Sequence, residues 1–307
     1  MSPKVSVCIP VRNGGDFLPL AVDSVLQQSF DDYELIIVDN CSTDGTVKWI
    51  EEKASTAPKI HFYQNATNIG LVGNFNACLG YARGEYIKFL CADDLLLPES
   101  VQRMSDALDA DSSVALLVGG RELIDEKGAP IATRKYAAEN AKVPGIEVIN
   151  RCFFGKNYIG EPSAVMFRKK NAQRGFQESL PQLMDLEMWF HLLEQGTMVS
   201  LSDEVCAIRQ YSGQMSQQNI KTGALIEDNV RLSDAYGNKS YIQNTWTNQT
   251  SRKIRIAYRV WMCRDALNAD KRDQILAKQS SRIFYYAVMP MLAGMLAMWR
   301  KARSLRR

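Results

Sequence analysis

Along the first two thirds of the chain, short apolar runs end on polar or acidic residues and alternate with stretches of helical periodicity. Val5, Val7 and Ile9 alternate with small residues up to Pro10, which predicts a buried strand. Phe17, Leu18, Ala21, Val22, Val25 and Leu26 then recur at helical spacing. The run ELIIVD at 34–39 is continuously apolar until Asp39, as strands of a parallel sheet are. Ser42, Thr43 and Asp44 follow it with capping groups for a helix through Trp49 and Ile50. A short strand from Ile60 to Tyr63, a helix from Leu71 to Ala82 and a strand from Tyr86 to Leu90 continue the alternation. Strand and helix in turn at this spacing predict an α/β protein with a mostly parallel, doubly wound sheet flanked by helices.

Ligands of such sheets bind beyond the carboxyl ends of the strands, and the acidic residues fall there. Asp39 closes one strand, and Asp93 and Asp94 follow another in YIKFLCADDLLLP at 86–98. Two adjacent carboxylates suit a core poorly and suit a hard divalent cation well. A cation so placed could bridge a diphosphate, which points to a nucleotide-activated substrate. The same acids also read as a strand end that caps a helix beginning near Pro98. The fingerprint G-x-G-x-x-G is absent, against nicotinamide or flavin chemistry. Beyond this region, 114–124 and 163–168 read as strands and Asp185 to Glu194 as a helix. The polar stretch 212–223 reads as a linker, and the remainder as mostly helical.

Composition narrows the setting. A chain of 307 residues with 46% hydrophobic and 23% charged residues is globular, with room for one large α/β domain and an appendage. Its seven cysteines are odd in number, form no C-x-x-C pair and lie partly in apolar runs, so a reduced compartment is expected. The opening VSVCIPV is strand-like and carries no leader pattern, which adds to a cytoplasmic expectation. Net charge is unevenly spread: 252–307 hold 14 Lys and Arg against three Asp, a surplus of +11 that leaves −8 for the rest of a chain whose total is +3.

Five strings in order, VSVCIPVRNG (5–14), VDNCSTDGT (38–46), NIGLVGNFN (68–76), ARGEYIKFLCADD (82–94) and LMDLEMWFHLL (183–193), make the chain resemble the family 2 glycosyltransferases. These are inverting enzymes with the GT-A fold, a Rossmann-like sheet. The resemblance implies a catalytic domain at 1–215, with about 1–98 binding the nucleotide and 99–215 the acceptor. A helical, basic region at 216–307 would follow. Asp39 would accept from a pyrimidine N–H, or else cap the following turn. Pro10, Val11 and Arg12 would line the same pocket, with Arg12 where the family commonly has an aromatic residue. Asp93 and Asp94 would hold Mn or Mg, with Asp93 also near the nucleotide, and the first acid of the family motif is Cys91 here, a poor ligand for a hard cation. Asp185 would be the general base, although a helix start also suits it as a cap. Its usual acidic neighbour is Met184. Arg209 would approach the diphosphate, with Tyr211 in place of a histidine, and Glu161 would touch the acceptor.

Residues 283–299 are uncharged and precede RKARSLRR. Tyr285, Tyr286 and Trp299 are interfacial residue types, and the basic cluster favours an anionic membrane surface; a helix packed on the catalytic domain is the other reading. The whole implies a UDP-sugar transferase acting on a saccharide or lipid-linked acceptor for O-antigen, capsule or another surface polysaccharide. It would be cytoplasmic and peripheral on the inner face of the plasma membrane, with no nucleic acid partner. A sugar-nucleotide nucleotidyltransferase and a non-catalytic nucleotide-binding relative are the alternatives.

Overall fold

The computed structural model describes residues 2–211, 214, 224–264, 267–279 and 281–291. The chain divides into two compact units, Met1–Tyr211 and Ser212–Arg307. In the first, β1 (Val5–Val11), α1 (Phe17–Leu26), β2 (Tyr33–Asp39), α2 (Thr46–Thr56), β3 (Ile60–Gln64), α3 (Gly70–Tyr81) and β4 (Tyr86–Phe89) follow the predicted alternation. Next come β5 (Leu95–Leu96), α4 (Ser100–Asp109), β6 (Val114–Ile124), β7 (Pro130–Arg134), β8 (Ala141–Pro144) and α5 (Gly145–Phe154). The unit closes with β9 (Val165–Arg168), α6 (Met184–Leu193) and β10 (Thr197–Arg209). The sequence pattern did not announce β5, β7, β8, β10 or α5. β7 is exposed along its whole length, so it lacks the apolar alternation that marks a half-buried strand.

The sheet order is β3-β2-β1-β4-β9-β6-β10-β5, with β7 on β6 and β8 on β10. Strands β1 to β4 are mutually parallel, and β6 and β10 run parallel to each other. β9 is antiparallel to both β4 and β6, so those two point the same way. All the longer strands therefore end at one edge, and β9 begins there. Every residue of β1 and β2 is buried, which is why both read as uninterrupted apolar runs. Below the carboxyl edge, the rings of Phe75, Phe89, Phe167, Phe176 and Trp189 pack at centroid separations of 4.7–6.4 Å and tie α3, β4, β9 and α6 together.

At the opposite edge, buried Glu34 accepts from the Ser6 hydroxyl at 2.6 Å and from the Arg83 amide and Nε at 2.7 and 2.8 Å. This locks the turn that feeds β4 onto β1.

The second unit contains α7 (Ala224–Tyr236), α8 (Trp246–Met262) and α9 (Ala269–Lys278), followed by a wide π-type stretch at Phe284–Val288. Thr245 and Asn268 cap α8 and α9 by accepting from the amides of Asn248 and Lys271. Ile226, Val230, Ile256, Val260, Leu276, Tyr285 and Met289 belong to its core. Most of the expected linker at 212–223, and 292–299 of the expected membrane segment, lie outside the described residues.

Replacing Glu34 by Ala leaves the Ser6 hydroxyl without its acceptor at the base of the sheet, while the Arg83 amide keeps Ser6 Oγ at 3.1 Å. We expect a loss of about 2 kcal/mol in urea unfolding of the whole chain. An unchanged midpoint would show that water substitutes for the carboxylate.

Candidate active site

Val11 and Asp39 are register partners at the ends of β1 and β2. The loops after them are laced together. The Asn13 amide donates to Ser42 Oγ at 2.7 Å, the Thr43 amide to Asn13 Oδ1 at 2.9 Å, and the Gly14 amide to Thr46 Oγ1 at 2.8 Å. Ser42 and Thr43 thus tie loops rather than cap α2, and Asp44 alone accepts from the Thr46 amide, at 3.0 Å. Asp39 is fully buried and accepts from the Ser42 hydroxyl and, at 3.0 Å, from the Ser42 amide. The turn-capping reading of Asp39 is therefore realised. Pro10 and Val11 are buried beside it and Arg12 is exposed. Asn40, Asn65, Asn68 and Asn74 form an amide network beneath, with Asn74 Nδ2 donating to the Val38 carbonyl at 3.0 Å.

Asp94, only 3% exposed, joins three chain segments. One carboxylate oxygen accepts from Ser163 Oγ at 2.6 Å, in the turn before β9, and the other from the Arg209 amide at 3.0 Å, at the end of β10. Ser163 Oγ in turn accepts from the Cys91 amide at 2.9 Å. Burial and the charge of Asp93 push the Asp94 carboxyl up to about 8. Arg209 is buried and spends its guanidinium on the carbonyls of Asp93 (3.0 Å), Asp125 (3.2 Å) and Glu126 (2.9 Å), above the Phe17 ring. In this arrangement it braces the site. Tyr211 hydrogen-bonds Asp93, and burial followed by that carboxylate pushes its phenol up to about 12. Below the acids lies Lys88, fully buried in β4, donating to the Ser163 carbonyl, with burial lowering its pKa to about 8.

Across the edge, α6 starts at Met184 with Leu183 as its cap, so Asp185 lies inside the first turn and is not the N-cap. Its carboxylate accepts from the Leu186 amide at 2.7 Å and faces Asn157 Nδ2 at 3.5 Å. Burial, with Glu161 as the main neighbouring charge, raises its pKa to about 6. Glu161 pairs with the buried Arg121 of β6 at 2.7 Å. Gly160 before it has φ +121, and a Cβ there would lie 2.7 Å from the Arg121 guanidinium carbon. Trp189 Nε1 donates to the Gly160 carbonyl at 3.2 Å, so the loop is pinned from α6 as well.

Asp39, Asp93, Asp94, Glu161, Asp185, Arg209 and Tyr211 thus all belong to the carboxyl edge of one sheet. The sequence reading passed over Ser163, Lys88 and Arg121. Lys88 and Arg121 had a visible signal, a cation inside an apolar strand, whereas nothing local distinguishes Ser163.

A family model described as "Glycosyl transferase family 2" matches residues 6–175. The chain belongs to glycosyltransferase family 2. A putative teichuronic acid biosynthesis glycosyltransferase, TuaG of Bacillus subtilis, is 29% identical over 194 residues, which are 63% of this chain and 73% of that protein. Among solved structures, Staphylococcus aureus TarS 1–349 in complex with UDP-GlcNAc has a TM-score of 0.59 at 20% identity, covering 92% of this chain and 73% of that one. The mannosyltransferase PcManGT of Pyrobaculum calidifontis, with GDP-Man and Mn2+, has a TM-score of 0.59 at 16% identity, covering 93% and 82%. At these identities the two structures establish a shared GT-A-like fold.

In this family 2 protein one ligand atom each from Cys91, Asp93 and Asp94 lie within 4.8 Å of one another. The two carboxylates suit a hard cation. The Cys91 thiol does not, since burial and then Asp94 hold its proton well above the ordinary range. Asp93 and Asp94 differ in what else they do, and substitution should separate them. In chelator, Asp94→Ala should lower unfolding stability by about 2 kcal/mol, because it strands the Ser163 hydroxyl and the Arg209 amide, while Asp93→Ala should stay within about 0.5 kcal/mol. Equal losses would refute the division.

Proposed function

We propose that the protein is an inverting glycosyltransferase that moves one sugar from a UDP-linked donor to a hydroxyl of a saccharide or lipid-linked acceptor, in the making of a surface polysaccharide such as O-antigen or capsule. The observation that carries this reading is Asp185, a carboxyl whose pKa burial raises to about 6, at the same sheet edge as the Asp93–Asp94 pair. TuaG and the UDP-GlcNAc complex of TarS support the polysaccharide setting and the uridine donor.

On this reading residues 1–98 carry the donor and 99–215 the acceptor. Asp39 meets the base through a pyrimidine N–H, between Val11 and the exposed Arg12. Asp93 and Asp94 would hold Mn or Mg, which when bound offsets the charge of the departing diphosphate. Arg209 and Tyr211 hold Asp93 in position from the end of β10. Asp185 takes the proton of the acceptor hydroxyl as its oxygen attacks the anomeric carbon on the face opposite the diphosphate, which inverts that centre. Glu161, steadied by Arg121, is placed to accept from a second acceptor hydroxyl.

Asp185→Asn keeps an acceptor for the Leu186 amide and removes the base. Turnover should fall about 100-fold or more, with donor binding and melting temperature nearly unchanged. A non-catalytic relative would show no turnover to lose on a panel of nucleotide sugars with Mn present.

The pH profile tests the same group. Only ionised Asp185 accepts a proton, so at saturating Mn, where Asp94 stays ionised, kcat/KM should fall about tenfold per pH unit below about pH 6 and level off above it. Glu161→Gln removes a neighbouring negative charge and should move this acid limb to lower pH. A flat profile from about pH 5 to about pH 7 would take Asp185 out of the role.

A further inference from the structure

Among its described residues the helical unit carries an exposed apolar face. At its last described segment, Ser281, Tyr285 and Met289 are buried, and Tyr285 and Met289 join the core of Ile256, Val260 and Leu276. The other side carries Ile283, Tyr286 and Met291, which are 73%, 54% and 69% exposed, with Ala287 and Pro290 exposed between them. A helix packed on a core by one side ordinarily turns polar residues to water on the other. The transfer chemistry uses none of these residues. Tyr286 is held in place by its hydroxyl, which donates to Asp273 at 2.6 Å.

Charge identifies the occupant. Arg282 at the head of the face is exposed. In the sequence that follows, 292–299 are uncharged and 300–307 contain five Lys and Arg with no acid. A second copy of the chain would also cover an apolar face, but the +11 surplus of 252–307 repels an identical surface. The same surplus attracts anionic headgroups, and apolar side chains among cations are what enters the headgroup–acyl boundary. Among the described residues no helix is long and apolar enough to cross a membrane. We propose that the face of Ile283, Tyr286 and Met291 docks the protein on an anionic lipid bilayer. The docking surface stands whatever sugar or acceptor is used.

The test is co-sedimentation of the full chain with vesicles of phosphatidylcholine alone, or of phosphatidylcholine and phosphatidylglycerol in equal parts. The protein should pellet with the phosphatidylglycerol vesicles and only weakly with the neutral ones. The double variant Ile283→Ser with Met291→Ser should lose about tenfold or more in vesicle affinity while its melting temperature stays put, since both side chains are exposed. If the double variant does not fold, Ile283→Asn alone carries the comparison, with about a threefold loss expected. Equal pelleting of variant and parent, or no preference for the anionic vesicles, overturns the proposal. So does light scattering that shows a dimer in the parent and a monomer in the variant without vesicle binding, which would give the face to a second copy.

Discussion

The carboxylate of Asp94 is the point on which the candidate site depends. Its two hydrogen bonds, from Ser163 Oγ at 2.6 Å and from the Arg209 amide at 3.0 Å, close a ring between the end of β4, the start of β9 and the end of β10. These segments are far apart in sequence; the antiparallel pairing of β5 with β10 brings Asp94 to Arg209, and the reversed β9 brings Ser163. In an all-parallel sheet the carboxyl edge receives only strand ends. The reversed β9 delivers the loop 157–164 to the same edge, and with it Glu161 and the pinning of Gly160. Arg209 then extends the closure, since its guanidinium holds the carbonyl of Asp93 and those of residues 125 and 126.

The electrostatics follow from that closure. Asp93, Asp94, Glu161 and Asp185 crowd one edge, and the neighbouring cations are largely committed. Lys88 and Arg209 donate to carbonyls, and Arg121 faces Glu161. Burial penalises charge on Asp94 and Asp185, so both hold their protons more tightly than free carboxyls do. A diphosphate could not approach such an edge without a compensating cation. The pair at Asp93 and Asp94 is therefore suited to a divalent ion on electrostatic grounds alone. The same burial that strains the ionised pair leaves Asp185 poised to exchange a proton near neutral pH, so one physical cause produces both features.

Much of this was legible in the sequence, and the reason is local. β1, β2 and β6 are buried along almost their whole length, and a run such as ELIIVD has no other plausible use. Asp39, Asp93 and Asp94 could be placed because a strand's end is also the sheet's edge. The resemblance points to Asp185, but it is not the cap, because two residues decide between cap and first turn and periodicity does not resolve that. Ser163 could not be found at all, since its importance comes from a partner 69 residues away. Arg209 was read as a phosphate contact, yet it is buried on carbonyls, a destination set by tertiary packing. β7 stayed hidden because a fully exposed strand carries no hydrophobic signature.

The second unit obeys different constraints. In Met1–Tyr211 the apolar content is consumed by a sheet covered on its faces, and the candidate site residues are mostly acidic and partly withdrawn from water. In the helices after Ala224, Thr245 and Asn268 cap two helices, a small core packs between them, and large apolar side chains remain outside. An exposed isoleucine or methionine is unremarkable singly. Ile283, Tyr286 and Met291 share one side of a single segment, within a region of strong positive charge, so their exposure has a common cause. On the proposed readings, the acidic edge and the basic, apolar surface lie on separate units. Merged on one surface the two sets of charges would neutralise each other, and such a surface would favour neither a divalent cation nor an anionic headgroup.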